Sequence, residues 1–151
     1  MSDRDDRRSR GAHSPLDAIE TAAAVTAASG QMDISHTIDY AVVEELYQMG
    51  GPSLMVQLFD LYREDVDRLR RELDHAQARN DAAEVARAAH AMSGCSASVG
   101  ARTLAAAAKR LELRAITGTL EECELLLADV VAESQRAISA LEGVAKGLYP
   151  V

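Results

Sequence analysis

Hydrophobic side chains recur at helical spacing along most of this chain. One stripe begins after Pro52 and continues to about residue 78, and its members are Met55, Phe59, Tyr62, Val66, Leu69, Leu73 and Ala76. Three further stripes cover about 82–99, 102–117 and 119–147. Residues three, four and seven positions apart lie on one face of an α-helix, so each stripe predicts an amphipathic helix with one buried face. No segment alternates hydrophobic and polar residues as a half-buried strand would.

Turn and capping residues separate these helices. Gly50-Gly51 ends a short helix predicted over 40–49, and Pro52 suits the first position of the next helix. Two capping boxes start later helices, namely Asp81 with Glu84 and Thr119 with Glu122. Long amphipathic helices joined by short turns pack as antiparallel neighbours. The predicted fold class is therefore all-α, an antiparallel up-down-up-down four-helix bundle with the short helix 40–49 as a lid.

The first 36 residues differ in composition from the rest of the chain. Four arginines are mixed with acidic residues in the first dozen positions, and such a mixture buries nothing. We therefore predict a flexible tail over 1–36. A capping pattern at Ser14, followed by Pro15, allows a short helix over 15–29 within this tail. The bundle domain is predicted over 37–151.

Composition narrows the classes of function. The net charge is −8, and an acidic chain lacks the basic stripe with which proteins bind nucleic acids. No apolar run approaches the roughly 18 residues that a membrane span needs. Cys95 and Cys123 lie far apart without metal-ligand spacing, which favours reduced thiols in a cytoplasmic protein. The sequence also lacks a histidine pair spaced for a metal and a glycine-rich phosphate loop, so we expect no metal and no cofactor of its own.

His90 has unusually small neighbours on its predicted helix. The residues three, four and seven positions away are Ala86, Arg87, Ser93, Gly94 and Ala97. Four of these five carry almost no bulk, so the imidazole is expected to stand clear of a flat surface that another protein can reach. A glycine inside a helix costs about 1 kcal/mol relative to alanine. That cost is understandable at Gly94 if a partner must approach the backbone closely.

The segment AHAMSGCSASVGARTLAAAAKRLE, which begins at Ala89, resembles the signature of histidine-containing phosphotransfer (HPt) domains. That signature has the form His-x-hydrophobic-Lys-Gly-Ser-Ser-x-x-x-Gly-Ala, followed by a leucine and a Leu-Glu pair. The matching positions are His90, Met92, Gly94, Ser96, Gly100, Ala101, Leu104, Leu111 and Glu112. The likeness extends from about Ile38 to about Leu148.

The resemblance implies a role in two-component phosphorelays. His90 would accept a phosphoryl group from a receiver-domain aspartate, or from a kinase, and pass it to the aspartate of a response regulator. An imidazole is substantially neutral at pH 7 and is therefore nucleophilic without a dedicated base. The expected partners are response-regulator receiver domains and a hybrid sensor histidine kinase, and the receiver would bring the Mg²⁺. The chain would be a monomeric phosphoryl carrier and not an enzyme.

One position departs from the family pattern, because Ser93 stands where HPt domains usually have lysine. A serine can hydrogen-bond a phosphoryl oxygen but offers no positive charge. Arg87 lies one turn before His90 on the same face. Position 90 is also expected to lie level with about position 110 of the next antiparallel helix, near Lys109 and Arg110. Our hypothesis is that Arg87, assisted by Lys109 or Arg110, partly replaces the missing lysine; alternatively, these are solvated surface charges.

The predicted docking surface and the predicted function each have an alternative interpretation. The residues assigned to partner docking are Ala86, Ala97, Met55, Lys109 and Arg110. For Met55 and its apolar neighbours, cover by the helix 40–49 is the alternative explanation. The alternative function is an interaction module that binds a receiver or a kinase without carrying phosphate. Ser93 favours that alternative, whereas His90 and Gly94 argue against it, and a purely structural bundle would leave the small residues around His90 unexplained.

Overall fold

Four helices form the part of the chain that the computed structural model describes, residues 36–148. In chain order they are α1 (Tyr40–Ala78), α2 (Ala82–Val99), α3 (Arg102–Thr117) and α4 (Glu124–Leu148). Each helix packs against the next and α4 packs against α1, which confirms the predicted four-helix bundle. The predicted tail helix 15–29 lies outside the described residues. None of the four helices is both long and apolar enough to cross a membrane.

α1 contains the break that Gly50, Gly51 and Pro52 predict. Gly51 has φ 66° and ψ −164°, a left-handed φ that side chains other than glycine rarely adopt, and the helix is kinked there. Pro52 follows as the first residue of the second segment, where its missing N–H costs least. The predicted helix 40–49 is therefore present as the first segment of α1, and the kink at Gly51 separates it from the long second segment.

The chain just before α1 closes one end of the bundle. The backbone N–H of Asp39 donates to the Gly100 carbonyl at 2.7 Å, and that of Arg102 donates to the Thr37 carbonyl at 3.0 Å. Gly100 has φ 82°, and a Cβ built on it would lie 2.9 Å from the Asp39 carbonyl oxygen. Both the conformation and this close approach require glycine at the turn between α2 and α3. The first segment of α1 thus lies against that turn, as predicted for a lid.

The predicted stripes form the core. All seven members of the α1 stripe are buried, together with inward-facing residues of the other helices, among them Val85, Met92, Leu104, Leu111, Val130 and Leu141. Fully burying a valine, leucine, methionine or phenylalanine side chain stabilises the fold by about 1.5–3 kcal/mol. The hydroxyls of Tyr62 and Ser96 form a buried hydrogen bond of 2.8 Å between α1 and α2, and burial raises the pKa of Tyr62. This bond helps to hold α2, which carries His90, against α1.

Only one of the two predicted capping boxes lies at the start of a helix in the structure. The Asp81 carboxylate accepts a hydrogen bond from the Glu84 backbone N–H at 3.1 Å and caps α2. Thr119 and Glu122 bond each other reciprocally, at 3.2 and 3.3 Å, but α4 begins only at Glu124. That pair closes a turn ahead of the helix, so the start predicted at residue 119 is too early.

Candidate functional site

His90 stands on the outward face of α2. Its neighbours Ala89 and Met92 are buried in the core, whereas 72% of the His90 side chain is exposed. The packing of α3 against α2 brings Glu112 to one side of the ring, where Glu112 Oε1 lies 2.9 Å from His90 Nδ1. The ring is therefore held on one side and open on the other.

Glu112 connects His90 to a lysine. Only 11% of its side chain is exposed, and its second oxygen, Oε2, accepts a hydrogen bond of 3.2 Å from Lys109 Nζ. Partial burial raises the pKa of Glu112, but the hydrogen bonds from Lys109 and His90 outweigh burial and hold the pKa below its ordinary value. The carboxylate is thus ionised at neutral pH and places a negative charge beside the imidazole.

The bond to Glu112 selects one tautomer of the imidazole. An ionised carboxylate only accepts hydrogen bonds, so the proton of the neutral ring resides on Nδ1. Nε2, on the other side of the ring, then keeps its lone pair. It is the ring atom that can act as a nucleophile toward a group brought by another molecule.

Ser93 is bound to the neighbouring helix. Its hydroxyl donates to the Ala105 carbonyl of α3 at 3.0 Å, and its side chain is half-buried. The hydroxyl proton is engaged there, so Ser93 helps to hold α2 against α3. The predicted register, with position 90 level with about position 110, agrees with this contact and with the bond between His90 and Glu112.

Arg87 faces away from this cluster. Its guanidinium pairs with Glu84 at 2.8 Å and with Glu72 of α1 at 3.3 Å. These two carboxylates hold it on the α1 side of His90, whereas Glu112 approaches from α3. Arg87 is next to His90 along α2 but is engaged elsewhere.

Lys109 is the basic residue that the fold places in the cluster. It contacts Glu112 from one turn away on α3, and 53% of its side chain is exposed. Arg110 is also exposed but is rotated by about 100° from Lys109 around the helix. Of the three basic residues in the sequence hypothesis, Lys109 alone shares a carboxylate with His90.

Gly94 and two alanines leave space beside the imidazole. Gly94 is exposed, and a Cβ built on it would have no heavy atom within 4 Å. The fold itself therefore does not require glycine at this position. Ala97 is exposed and Ala86 is half-buried. The surface around His90 is accordingly flat on the side that a partner would approach.

Met55 does not lie on this surface. Its side chain is 0% exposed and belongs to the inward stripe of α1, together with Phe59 one turn later. The prediction that Met55 contributes to partner docking is wrong, because the helical spacing that places it in the core removes it from solvent.

The fold and the site together define a class of protein, a helical bundle that presents one nucleophilic side chain to another molecule. A family model described as Hpt domain matches residues 54–143, and the chain belongs to the Hpt domain family. Hpt domains are phosphocarrier proteins that act in histidine phosphotransfer in phosphorelays, where they interact with receiver domains and histidine kinases.

The chain also resembles a solved structure. This is the X-ray structure of a rice protein assigned by name to the histidine-containing phosphotransfer proteins. The TM-score is 0.71 at 17% sequence identity, and the match covers 90% of this chain and 96% of the rice chain. At this identity the likeness supports the fold alone. No curated protein matches the chain in sequence.

Substitution of Glu112 by glutamine should change how stability depends on pH. The pKa of Glu112 is lowered in the folded protein, so its ionisation favours folding. That contribution is complete above about pH 4.3, the ordinary pKa of glutamic acid. It is lost as the pH falls through the lower pKa that Glu112 has in the folded protein. Because the partners His90 and Lys109 are more than half exposed, we expect a loss of less than about 1 kcal/mol at neutral pH. Urea unfolding of both proteins from neutral to strongly acidic pH measures the difference.

The tautomer of His90 provides a second measurement on Glu112→Gln. In the wild type, nitrogen NMR of the neutral imidazole should place the proton on Nδ1, and the variant should show a larger share on Nε2. Glu121→Gln, in the exposed turn before α4, is the control and should leave the tautomer unchanged. An identical tautomer in Glu112→Gln and wild type would contradict the positioning role of Glu112.

Proposed function

We propose that this chain carries a phosphoryl group on His90, accepting it from a receiver-domain aspartate or a kinase and passing it to the aspartate of a response regulator. The observation that supports this most is the exposed imidazole whose Nδ1 is bound by Glu112. Membership of the Hpt domain family supports the same chemistry. The Mg²⁺ that assists the transfer would belong to the receiver domain.

The transfer needs no general base on this chain. The Nε2 lone pair of His90 forms an N–P bond while the P–O bond to the partner's aspartate breaks, and the aspartate leaves as a carboxylate. The ring keeps its proton on Nδ1 and becomes positively charged. The Glu112 carboxylate lies where this charge develops, so it stabilises both the phosphorylated ring and the transition state before it. The same steps in reverse, with a second aspartate as acceptor, unload the phosphoryl group.

Lys109 supplies the positive charge that Ser93 lacks. Glu112 binds His90 Nδ1 through Oε1 and Lys109 Nζ through Oε2, so this carboxylate holds an ammonium group beside the imidazole. A hydrogen bond to a charged group contributes about 1.5–3 kcal/mol. Arg87 is engaged by two carboxylates on the α1 side and takes no part in this proposal.

Lys109→Ala should slow phosphoryl transfer from a receiver about tenfold, which corresponds to about 1.4 kcal/mol. This is close to the lower limit of the contribution of a hydrogen bond to a charged group, because Lys109 is half exposed. Arg87→Ala is the matched control, since it also removes a positive charge beside His90, and it should change the rate less than about twofold. Single-turnover transfer measures both. Equal losses in the two variants would contradict the assignment to Lys109.

Incubation with phosphorylated receiver domains of the source organism tests the proposed function. A phosphohistidine is labile in acid and stable in base, whereas an aspartyl phosphate is labile in base. We expect acid-labile, base-stable label that mass spectrometry locates on His90. Receiver binding without label would support the alternative, an interaction module that keeps the Hpt fold, which the engaged hydroxyl of Ser93 favours.

A further inference from the structure

A groove lies on the surface of the bundle between α1 and α4. It runs along the start of the second segment of α1 and the last turns of α4, and its volume is about 380 Å³. The residues along it are mostly apolar, namely Ser53, Val56, Phe59, Ile138, Leu141 and Ala145. Of the four interfaces between the described helices, the one between α1 and α4 is the least extensive. Val56, Ile138 and Ala145 are only half-buried, so this side of the bundle keeps apolar surface that a further element can cover.

The charged residues along the groove leave one cation unpaired. Arg63 of α1 pairs with Asp60 of the same helix and with Glu142 of α4, both at 3.1 Å. Lys146 is exposed in the last turn of α4, and it forms no ion pair with any residue between 36 and 148. The groove therefore suits an element that has an apolar face and a negative charge at the edge of that face.

The chain itself contains such an element in the predicted helix 15–29. At helical spacing, one face of this helix would consist of Leu16, Ile19, Ala23 and Ala27. The charged residues of the segment are Asp17 and Glu20, and it has no basic residue. Glu20 is one turn after Leu16, at the edge of the apolar face. Because alanine is small, this face allows the close approach that a shallow groove requires.

The segment is connected closely enough to reach the groove. The Thr37 carbonyl accepts a hydrogen bond from Arg102, so the described chain starts at the end of the bundle where α1 begins. The groove lies toward this end, since it is lined by the start of the second segment of α1 and by the last turns of α4. The linker 30–35 spans up to about 20 Å when it is extended. Neighbouring helices are only about 8–10 Å apart, so the linker is long enough.

We propose that residues 15–29 dock as a helix in the groove between α1 and α4, with Leu16 and Ile19 against its apolar lining and Glu20 near Lys146. The docked segment covers the least extensive of the four interfaces. It leaves His90 accessible, because that ring lies where α2 meets α3, on the opposite side of the bundle. The docking is therefore independent of the proposed function.

A nitroxide label on residue 21 tests this contact in the full chain. The labelled protein is Thr21→Cys with the two native cysteines replaced, Cys95→Ser and Cys123→Ala, and circular dichroism verifies its fold. Position 21 is off the apolar face of the predicted helix. A nitroxide broadens the NMR signals of nearby nuclei, so the amide of Ala145 in the groove should be broadened. The amide of Ala86, at the other end of the bundle on α2, should not. Equal signals of Ala145 with and without the nitroxide would overturn the proposal.

Two substitutions within the segment test which face docks. Ile19→Asp places a charge on the apolar face and should abolish the broadening in the groove. Val25→Asp is the matched control, because position 25 is on the opposite face, and it should keep the broadening. The urea midpoint should be lower for Ile19→Asp than for Val25→Asp, since only the first loses buried apolar surface. Equal broadening in the two variants would contradict the assignment of this face to the groove.

A mixed sample addresses a second copy of this chain as the other occupant. Protein that carries the nitroxide is mixed with nitrogen-15-labelled protein that lacks it, and only the second is observed. We expect no broadening in this sample. Broadening of the groove amides would mean that the segment of another copy occupies the groove, and it would overturn docking within one chain.

Phosphoramidate, a small phosphoryl donor that needs no docking surface, separates this inference from the proposed function. Labelling of His90 by this donor should be the same in the wild type, Ile19→Asp and Val25→Asp. If the wild type takes no label from phosphoramidate or from a receiver, the proposed function fails, whereas the broadening in the groove still decides the docking. A loss of label in Ile19→Asp alone would contradict the placement of the segment away from His90.

Discussion

His90→Gln should reduce labelling by a phosphorylated receiver to background, because the amide of glutamine offers no nucleophilic ring nitrogen. The substitution should leave the fold intact, since 72% of the His90 side chain is exposed and Glu112 keeps its bond to Lys109. We expect a change in the free energy of unfolding of less than about 0.5 kcal/mol. Radiolabel transfer and urea unfolding measure the two effects on the same preparation.

His75→Gln is the matched control for this experiment. His75 is exposed in the last turn of α1, so its replacement removes an imidazole without touching the pair of His90 and Glu112. Labelling of this variant should equal that of the wild type. Label that persists in His90→Gln would show that another residue accepts the phosphoryl group.

Replacing Gly94 should stabilise the folded protein, but a large side chain at this position should slow phosphoryl transfer. Gly94→Ala should raise the free energy of unfolding by about 0.5–1 kcal/mol, because alanine favours the helix and its Cβ meets no other atom. Gly94→Gln should also favour the helix, yet it places a long side chain one turn from His90, where the receiver must approach. We expect transfer from the receiver to fall by more than about tenfold, since small displacements of reacting groups are costly.

Ala128→Gln controls for the added side chain, because Ala128 is exposed on α4. Its transfer rate should remain that of the wild type. Labelling by phosphoramidate should also be unchanged in Gly94→Gln, since this donor is small. Wild-type transfer from the receiver to Gly94→Gln would mean that the partner does not approach closely over Gly94.

The helices could be predicted because helical spacing, capping and glycine conformation are local properties. The kink at Gly51 followed from a glycine pair before a proline, and the turn at Gly100 lies in the gap between two predicted stripes. The start of α4 was misplaced, because it was predicted at Thr119. Thr119 does form the predicted hydrogen bonds with Glu122. Those bonds close a turn as readily as they start a helix, so the pattern alone cannot distinguish the two.

The partners of the site residues could not be predicted in the same way. From spacing, both Arg87 and Lys109 lie within reach of His90. Glu84 and Glu72 hold the first on the α1 side, whereas Glu112 joins the second to the imidazole. In the sequence, Glu112 is only one half of the Leu-Glu pair of the family signature. The antiparallel register could have suggested it, but not that its carboxylate reaches Nδ1.

By itself, the sequence determined the helices, their caps, the inward stripes and a histidine among small residues on an outward face. Only the tertiary structure decided that Glu112 binds that histidine, that Lys109 accompanies it, and that the Ser93 hydroxyl is engaged by α3. The physical reason is that helix periodicity fixes which face a residue occupies. Contacts between helices depend in addition on how far each helix is shifted and rotated against its neighbour, and packing of the whole core sets those two quantities.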